Sequence, residues 1–175
     1  MRELGPRNHL GRPKGTENLV TNSDFESGVT GWTATRATVT QDTGAAKHGS
    51  ASMSVASTAD FAYARATLAS VPNGVYTLSV FEKGGTPNAD SGFVNVSDGT
   101  SDLLQIGTFA GSASWTRRSG QFTVAGSPAN VFLDLYSRFA GADGEVLWDA
   151  IQLEAGSAAT PFTTGTRPAP KELAS

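Results

Sequence analysis

Short segments of alternating apolar and polar residues, separated by turn residues, run through most of this 175-residue chain. No segment sustains the period of a helix. Tight-turn sequences such as Pro72-Asn73-Gly74 and Asp143-Gly144 divide the segments. The predicted strands are residues 17–20, 32–40, 50–57, 63–68, 75–83, 93–98, 103–109, 115–124, 129–138 and 145–154. Many short strands without intervening helices predict an all-β fold with antiparallel pairing, in a sandwich or a barrel.

The alternation also predicts which side chains face the interior, because successive residues of a strand point to opposite faces. The inward apolar set comprises Tyr76, Leu78, Val80, Val131, Leu133, Leu135, Leu147, Ile151 and Leu153. Asp149 shares the parity of Leu147, and an inward carboxylate is costly unless hydrogen bonds or a cation satisfy it. We also expect Trp32 and Trp115 to pack in the core.

Both ends of the chain differ from the middle. Residues 1–16 carry Arg2, Arg7, Arg12 and Lys14 against one acidic residue, and they contain too little apolar surface to fold alone. Residues 157–175 contain three prolines, which interrupt regular strand pairing. We therefore predict an extended basic arm over 1–16, a sandwich over 17–156 and an extended tail over 157–175. Such arms are either solvated or ordered against a partner.

Composition excludes several classes of function. Charged residues make up 17% of the chain and the net charge is −3, which argues against nucleic-acid binding. The absence of cysteine excludes disulfides and thiol chemistry. No apolar run is long enough for a membrane span or an export signal, so we expect synthesis without export. His9 and His48 form no plausible catalytic constellation, and no nucleophile elbow is present, so we do not expect an enzyme.

Three ordered segments resemble the carbohydrate-binding modules of the family 4/9/22 type. They are the opening 18–32 (NLVTNSDFESGVTGW) with the following 48–53 (HGSASM), the strand 75–81 (VYTLSVF), and 115–124 (WTRRSGQFTV) with the later 149–154 (DAIQLE). The resemblance covers about residues 18–155. It implies a jelly roll of the galactose-binding-like type.

The resemblance also implies candidate sites. Such modules often hold one structural Ca²⁺, and Glu26 and Asp149 match the family's acidic ligands; the alternative is that Glu26 caps a turn and Asp149 accepts backbone N–H bonds. The modules bind sugars on exposed aromatic rings. Four aromatic residues lie opposite the predicted core parity and are candidates for a glycan or protein contact: Phe81, Phe132, Tyr136 and Trp148.

The closing segment 148–162 (WDAIQLEAGSAATPF) resembles the end of many bacteriophage virion domains. This resemblance implies a non-catalytic virion protein, specifically a capsid decoration (cement) protein on the outer capsid surface. It would be made in the host cytoplasm and bind the major capsid protein as a dimer or trimer through the basic arm. The alternative is a carbohydrate-binding module, or a tail-fibre or baseplate adhesin domain, that binds host glycans.

Overall fold

The computed structural model describes residues 17–85, 92–107, 112–138 and 144–165. In these ranges the chain forms ten strands and contains no helix, and accordingly no helix that could cross a membrane. The strands are β1 (Trp32–Thr35), β2 (Ala37–Asp42), β3 (Ser52–Ser57), β4 (Ala62–Ala69), β5 (Gly74–Gly84), β6 (Phe93–Ser97), β7 (Asp102–Ile106), β8 (Thr116–Val124), β9 (Asn130–Arg138) and β10 (Glu145–Ala155).

The strands form two antiparallel five-stranded sheets packed as a sandwich. The first sheet has the order β1-β4-β9-β6-β7, and the second has the order β2-β3-β10-β5-β8. Their inner faces enclose one apolar core, to which the central strands contribute fully buried residues such as Leu78, Leu133 and Leu135. The predicted all-β jelly-roll sandwich is confirmed, as is the inward parity predicted for residues 76–80 and 131–135.

The predicted strand 32–40 is two strands in different sheets. Arg36 separates them with a positive backbone φ of 50°, a conformation that turns the chain. On one side, Trp32 pairs with Ala66 in the first sheet; on the other, Ala37 pairs with Ser57 in the second. One segment therefore bridges both layers, which an alternating sequence pattern does not reveal.

A β-bulge in β10 overturns the predicted parity of Leu147 and Asp149, whereas Ile151 and Leu153 lie in the core as predicted. The register against β5 shifts between Asp149 and Gln152, and Ala150 has a φ of 48°. The shift moves Trp148 into the core with Ile151, so Trp148 is fully buried and the prediction that it is exposed is wrong. Asp149 and Leu147 lie on the opposite face, because the extra residue reverses the alternation.

Two further expectations about local structure differ from what is observed. Trp32 is buried in the core as predicted, whereas Trp115 is only partly buried and lies outside the core cluster. Residues 17–20 do not form a regular strand. Instead, the backbone N–H of Leu19 donates to the carbonyl of Leu153 at 2.9 Å, and the Asn18 amide donates to the carbonyl of Ile151 at 2.9 Å. Backbone and side-chain hydrogen bonds thus hold this segment against β10.

The C-terminal strap, residues 156–165, is part of the folded domain. The backbone N–H of Thr163 donates to buried Gln152, and Arg117 donates to the carbonyl of Thr160. The strap lies over the outer side of the second sheet, so residues of the tail predicted to begin at 157 contact the sandwich as far as Thr163. The arm 1–16 and residues 166–175 lie outside the described residues.

Candidate functional site

The outer face of the first sheet carries a patch of aromatic and hydrogen-bonding side chains. Seven of these residues alternate with core residues on β4, β9 and β6 and therefore point away from the core, and Asp102 at the start of β7 joins them through a hydrogen bond from Asn95. The strand register brings the residues of neighbouring strands side by side. We call this patch the candidate face; it comprises Tyr63, Arg65, Phe93, Asn95, Asp102, Phe132, Asp134 and Tyr136.

An ion pair lies at the centre of the candidate face. Arg65 donates through Nε to Asp134 Oδ1 at 2.6 Å and through a terminal nitrogen to Oδ2 at 2.7 Å, in a bidentate arrangement. The hydrogen bonds to Asp134 raise the pKa of Arg65 further. Asp134 is almost fully buried, whereas a third of the Arg65 side chain is exposed. The guanidinium group is therefore fixed in position while part of it still meets solvent.

Aromatic rings flank this ion pair. The Arg65 guanidinium lies 4.7 Å from the centroid of the Phe132 ring and 5.2 Å from that of Tyr63. Tyr136 packs against Tyr63 at 4.8 Å and against Phe93 at 5.7 Å. Burial, together with the nearby Asp134 charge, raises the pKa of Tyr136 to about 12. Its hydroxyl is therefore neutral near pH 7 and able to donate a hydrogen bond.

Amide groups extend the polar part of the face towards β7. Asp102 accepts hydrogen bonds from the side-chain amides of Asn95 and Gln105, each at 3.0 Å. The amide oxygen of Asn95 is buried and has no hydrogen-bond partner among the described residues. Next to these groups, a pocket of about 460 Å³ is lined by Arg65, Asp102, Phe132 and the β6–β7 turn. The face thus combines ring surfaces with fixed donors and acceptors.

Two of the four aromatic residues predicted as contacts, Phe132 and Tyr136, lie on the candidate face. Phe81 lies on the outer side of the second sheet, where Lys47 and Arg117 stack on its ring at 4.9 and 5.7 Å. Trp148 lies in the core. The four residues therefore do not form one surface. The alternation of side chains does not show which sheet a strand belongs to, and it does not reveal the bulge that buries Trp148.

Sequence reasoning did not identify Tyr63, Arg65 or Asn95 as candidates. The alternation of residues 62–67 (AYARAT) does indicate the first two. It places the alanines on one face of the strand, and it places a tyrosine, an arginine and a threonine on the opposite face. Asn95 likewise lies between two core valines. Recognising these residues as one patch required the pairing of β4 with β9 and of β9 with β6.

Glu26 and Asp149 both bind the loop that precedes β3. Glu26 accepts hydrogen bonds from the backbone of Ser50 and Ala51 and from the Ser50 hydroxyl, which lower its pKa. Burial raises the pKa of Asp149, while the backbone N–H groups of Lys47 and His48 oppose that shift by donating to its carboxylate. This geometry matches the hydrogen-bonded alternative stated for both residues.

Calcium at Glu26 and Asp149 stays a prediction. Among the described residues, no group of three or more acidic, histidine or cysteine side chains is arranged to hold a metal. The two carboxylates therefore do not by themselves supply the six to eight oxygen ligands that calcium requires. A melting temperature higher in calcium than in chelator would show that the folded protein binds calcium, whereas identical melts would show that no calcium ion stabilises the fold.

Comparison with known proteins establishes the fold. No family model and no curated protein matches the sequence. The structure is similar to the CBM22-1 xylan-binding domain of Paenibacillus barcinonensis Xyn10C, with a TM-score of 0.66 and 22% identity over 83% of this chain and 99% of that one. It is also similar to TmCBM61, solved with β-1,4-galactotriose, with a TM-score of 0.60 and 16% identity over 79% of this chain and 99% of that one.

A third similar structure comes from a bacteriophage. It is the enzymatically active domain of tailspike protein 4 of bacteriophage CBA120, with a TM-score of 0.60 and 14% identity over 79% of this chain and 21% of that one. At these identities the similarity shows the fold alone. The chain therefore has the jelly-roll sandwich found in carbohydrate-binding modules, as its sequence predicted.

Proposed function

We propose that this protein is a non-catalytic glycan-binding domain and that the candidate face is its binding surface. One observation carries the proposal: an Arg65–Asp134 ion pair fixed between aromatic rings on the outer face of one sheet. Ring faces cover the apolar C–H surface of a sugar, and a few fixed polar groups orient its hydroxyls. The similar folds of a xylan-binding domain and of a module solved with β-1,4-galactotriose support this proposal.

The charges of the described side chains favour a neutral glycan. Asp134 neutralises Arg65. Asp102 adds a negative charge, and neither of the two ion pairs found among the described residues includes it. The Asp102 carboxylate would repel the charged group of an anionic sugar, whereas it can accept a hydrogen bond from a hydroxyl of a neutral sugar. We therefore expect neutral polysaccharides to bind more tightly than uronic-acid or sulfated ones.

Affinity gel electrophoresis tests the proposal directly. The protein is run through gels that contain soluble xylan, β-1,4-galactan, or an anionic control such as polygalacturonate. We expect retardation by a neutral polysaccharide. Phe132→Ala should weaken that binding by about tenfold or more, which corresponds to about 1.4 kcal/mol.

Phe81→Ala is the matched control, because it removes the same ring from the outer side of the other sheet. It should leave retardation unchanged. Loss of binding with Phe81→Ala but not with Phe132→Ala would contradict the assignment of the face. No retardation by any neutral polysaccharide in a wider panel would contradict the function itself.

A phage particle is the setting that one observation favours, namely the similarity to a tailspike domain. A tail adhesin would combine the proposed glycan binding with the virion origin that the closing segment implies. The capsid decoration role, its major capsid protein partner and the dimer or trimer remain predictions. Co-sedimentation with purified phage particles tests attachment, and light scattering on the isolated protein tests the oligomeric state.

A further inference from the structure

The turn between β6 and β7 forms one border of the candidate face and is held by the carboxylate of Asp98 and by a backbone bond from Asp98 N–H to the Ser101 carbonyl at 3.1 Å. Asp98 Oδ1 accepts hydrogen bonds from the backbone N–H of Thr100 at 2.8 Å, from the Thr100 hydroxyl at 2.7 Å and from the backbone N–H of Ser101 at 2.7 Å. These bonds lower the pKa of Asp98, so it is ionised near neutral pH. The turn is thus a rigid edge rather than a loose loop.

Gly99, at the tip of this turn, lies directly on a ring of the candidate face. A Cβ atom at Gly99 would be 3.1 Å from Phe132 Cε2, and the residue has a φ of +88°. A side chain here would strain the backbone and push against the ring. The absence of a side chain at Gly99 therefore determines where the Phe132 ring lies.

Two pockets meet at this point. The first, of about 460 Å³, lies between the turn and the Arg65 side of the face. The second, of about 550 Å³, lies between the turn and the loop that joins β8 to β9, where Pro128 and Asn130 contribute to its wall. Gly99, Thr100 and Phe132 line both pockets, so a ligand that covers the Phe132 ring reaches both.

We propose that the glycan surface extends past Phe132 into this second pocket, and that Gly99 is a specificity-determining position for the length of the glycan. This inference rests on the proposed function. Asp98 is the charged residue of the second pocket's lining, and the rest of the lining is apolar or neutral. The second pocket therefore suits further neutral sugar units of the same chain, with hydroxyls that donate to Asp98 or pair with Asn130.

Calorimetry with oligosaccharides of increasing length tests the extension. The probes are β-1,4-xylo-oligosaccharides and β-1,4-galacto-oligosaccharides from disaccharide to hexasaccharide. We expect affinity to rise with length, and Gly99→Ala to weaken hexasaccharide binding by about tenfold. Because Gly99 and Phe132 line both pockets, disaccharide binding on the Arg65 side should fall by a smaller factor.

Gly28→Ala is the matched control. Gly28 has a similar φ of +82°, and a Cβ atom there would meet nothing within 4 Å, so it imposes the backbone strain without touching a ring. It should leave both affinities unchanged. If Gly99→Ala behaves like Gly28→Ala, or if the disaccharide binds as tightly as the hexasaccharide, the extension is wrong while glycan binding stands. If no oligosaccharide binds, both proposals fail.

Nuclear magnetic resonance on the unmutated protein gives a second readout that does not depend on a folded variant. The backbone amide signals of Ala129 and Asn130 should shift when the hexasaccharide is added and stay in place with the disaccharide. Shifts confined to Arg65 and its neighbours at every length would overturn the extension.

Discussion

At the scale of single residues, Arg65 links stability to the proposed function. Its guanidinium satisfies a nearly buried carboxylate and stacks between two rings. Bidentate pairing of this kind is specific to arginine, since an ammonium group cannot make two parallel bonds. The residue therefore holds Asp134 and orders the face at the same time.

We predict that Arg65→Ala lowers the free energy of unfolding by about 1.5–3 kcal/mol, since hydrogen bonds to a charged group are lost and Asp134 is left buried without its partner. Chemical denaturation measures this change, and affinity gels should show weaker glycan binding. Arg36→Ala is the control. Arg36 is exposed, and among the described residues its side chain is seen to donate to the backbone carbonyl of Asp60. The control should change stability by less than about 0.5 kcal/mol. Equal effects of the two substitutions would contradict this prediction.

The burial of Glu82 leads us to predict that the stability of the fold depends on pH. It is fully buried beside Trp148 in the strand register, with Arg118 donating to it at 3.3 Å, and burial raises its pKa above the ordinary value of 4.5. The folded protein therefore binds this proton more tightly than the unfolded chain does. The contribution of Glu82 to stability is largest below the ordinary pKa and declines as the pH rises towards the raised one.

We therefore expect Glu82→Gln, which cannot ionise and keeps an oxygen for Arg118, to melt at a higher temperature than the unmutated protein at pH 7. The difference should vanish in acid. Glu26→Gln should behave oppositely at pH 7, because the bonds from Ser50 lower the pKa of Glu26 and stabilise its ionised form. Melting curves from acidic to neutral pH check both signs. A Glu82→Gln protein that melts lower at pH 7 would contradict the argument.

At the scale of elements, the closing segment has a structural explanation. Its glutamine and glutamate, Gln152 and Glu154, point from β10 into the C-terminal strap and are buried there. Glu154 accepts from the backbone of Thr160, and Gln152 accepts from the backbone of Thr163. The segment that resembles virion domains therefore closes the sandwich. Because closure accounts for these residues, their presence does not by itself indicate a capsid partner.

Removing the Gln152 side chain should loosen the strap. We expect Gln152→Ala to lower the free energy of unfolding by about 1–3 kcal/mol, because buried Glu154 and the backbone N–H of Thr163 lose their hydrogen bonds to Gln152. Limited proteolysis should then cut faster within residues 157–165. Gln121→Ala, at an exposed position in β8, is the control and should leave both measurements unchanged. Unaltered cleavage in the Gln152 variant would show that the strap does not depend on this residue.

At the scale of the whole molecule, the two outer faces of the sandwich differ. The C-terminal strap covers polar residues of β10 on one side, whereas the candidate face on the other is not crossed by the strap. The residues that we assign to the candidate face all belong to strands of the sandwich. We predict that deleting residues 1–16 leaves glycan affinity and melting temperature unchanged. Weaker retardation of the truncated protein in affinity gels would place part of the site in the arm.

Alternation and turn chemistry are local properties, so they were enough to predict the class of fold and the inward faces of β5 and β9. The sheet switch at Arg36, the outward orientation of Leu147 and Asp149 before the bulge at Ala150 and the burial of Trp148 follow from packing in three dimensions. Tertiary structure also assembled the candidate face, in which Arg65 and Asp134 are far apart in sequence yet form two hydrogen bonds. The physical reason is that strand register and bulges depend on packing between distant segments, which a one-dimensional pattern does not encode.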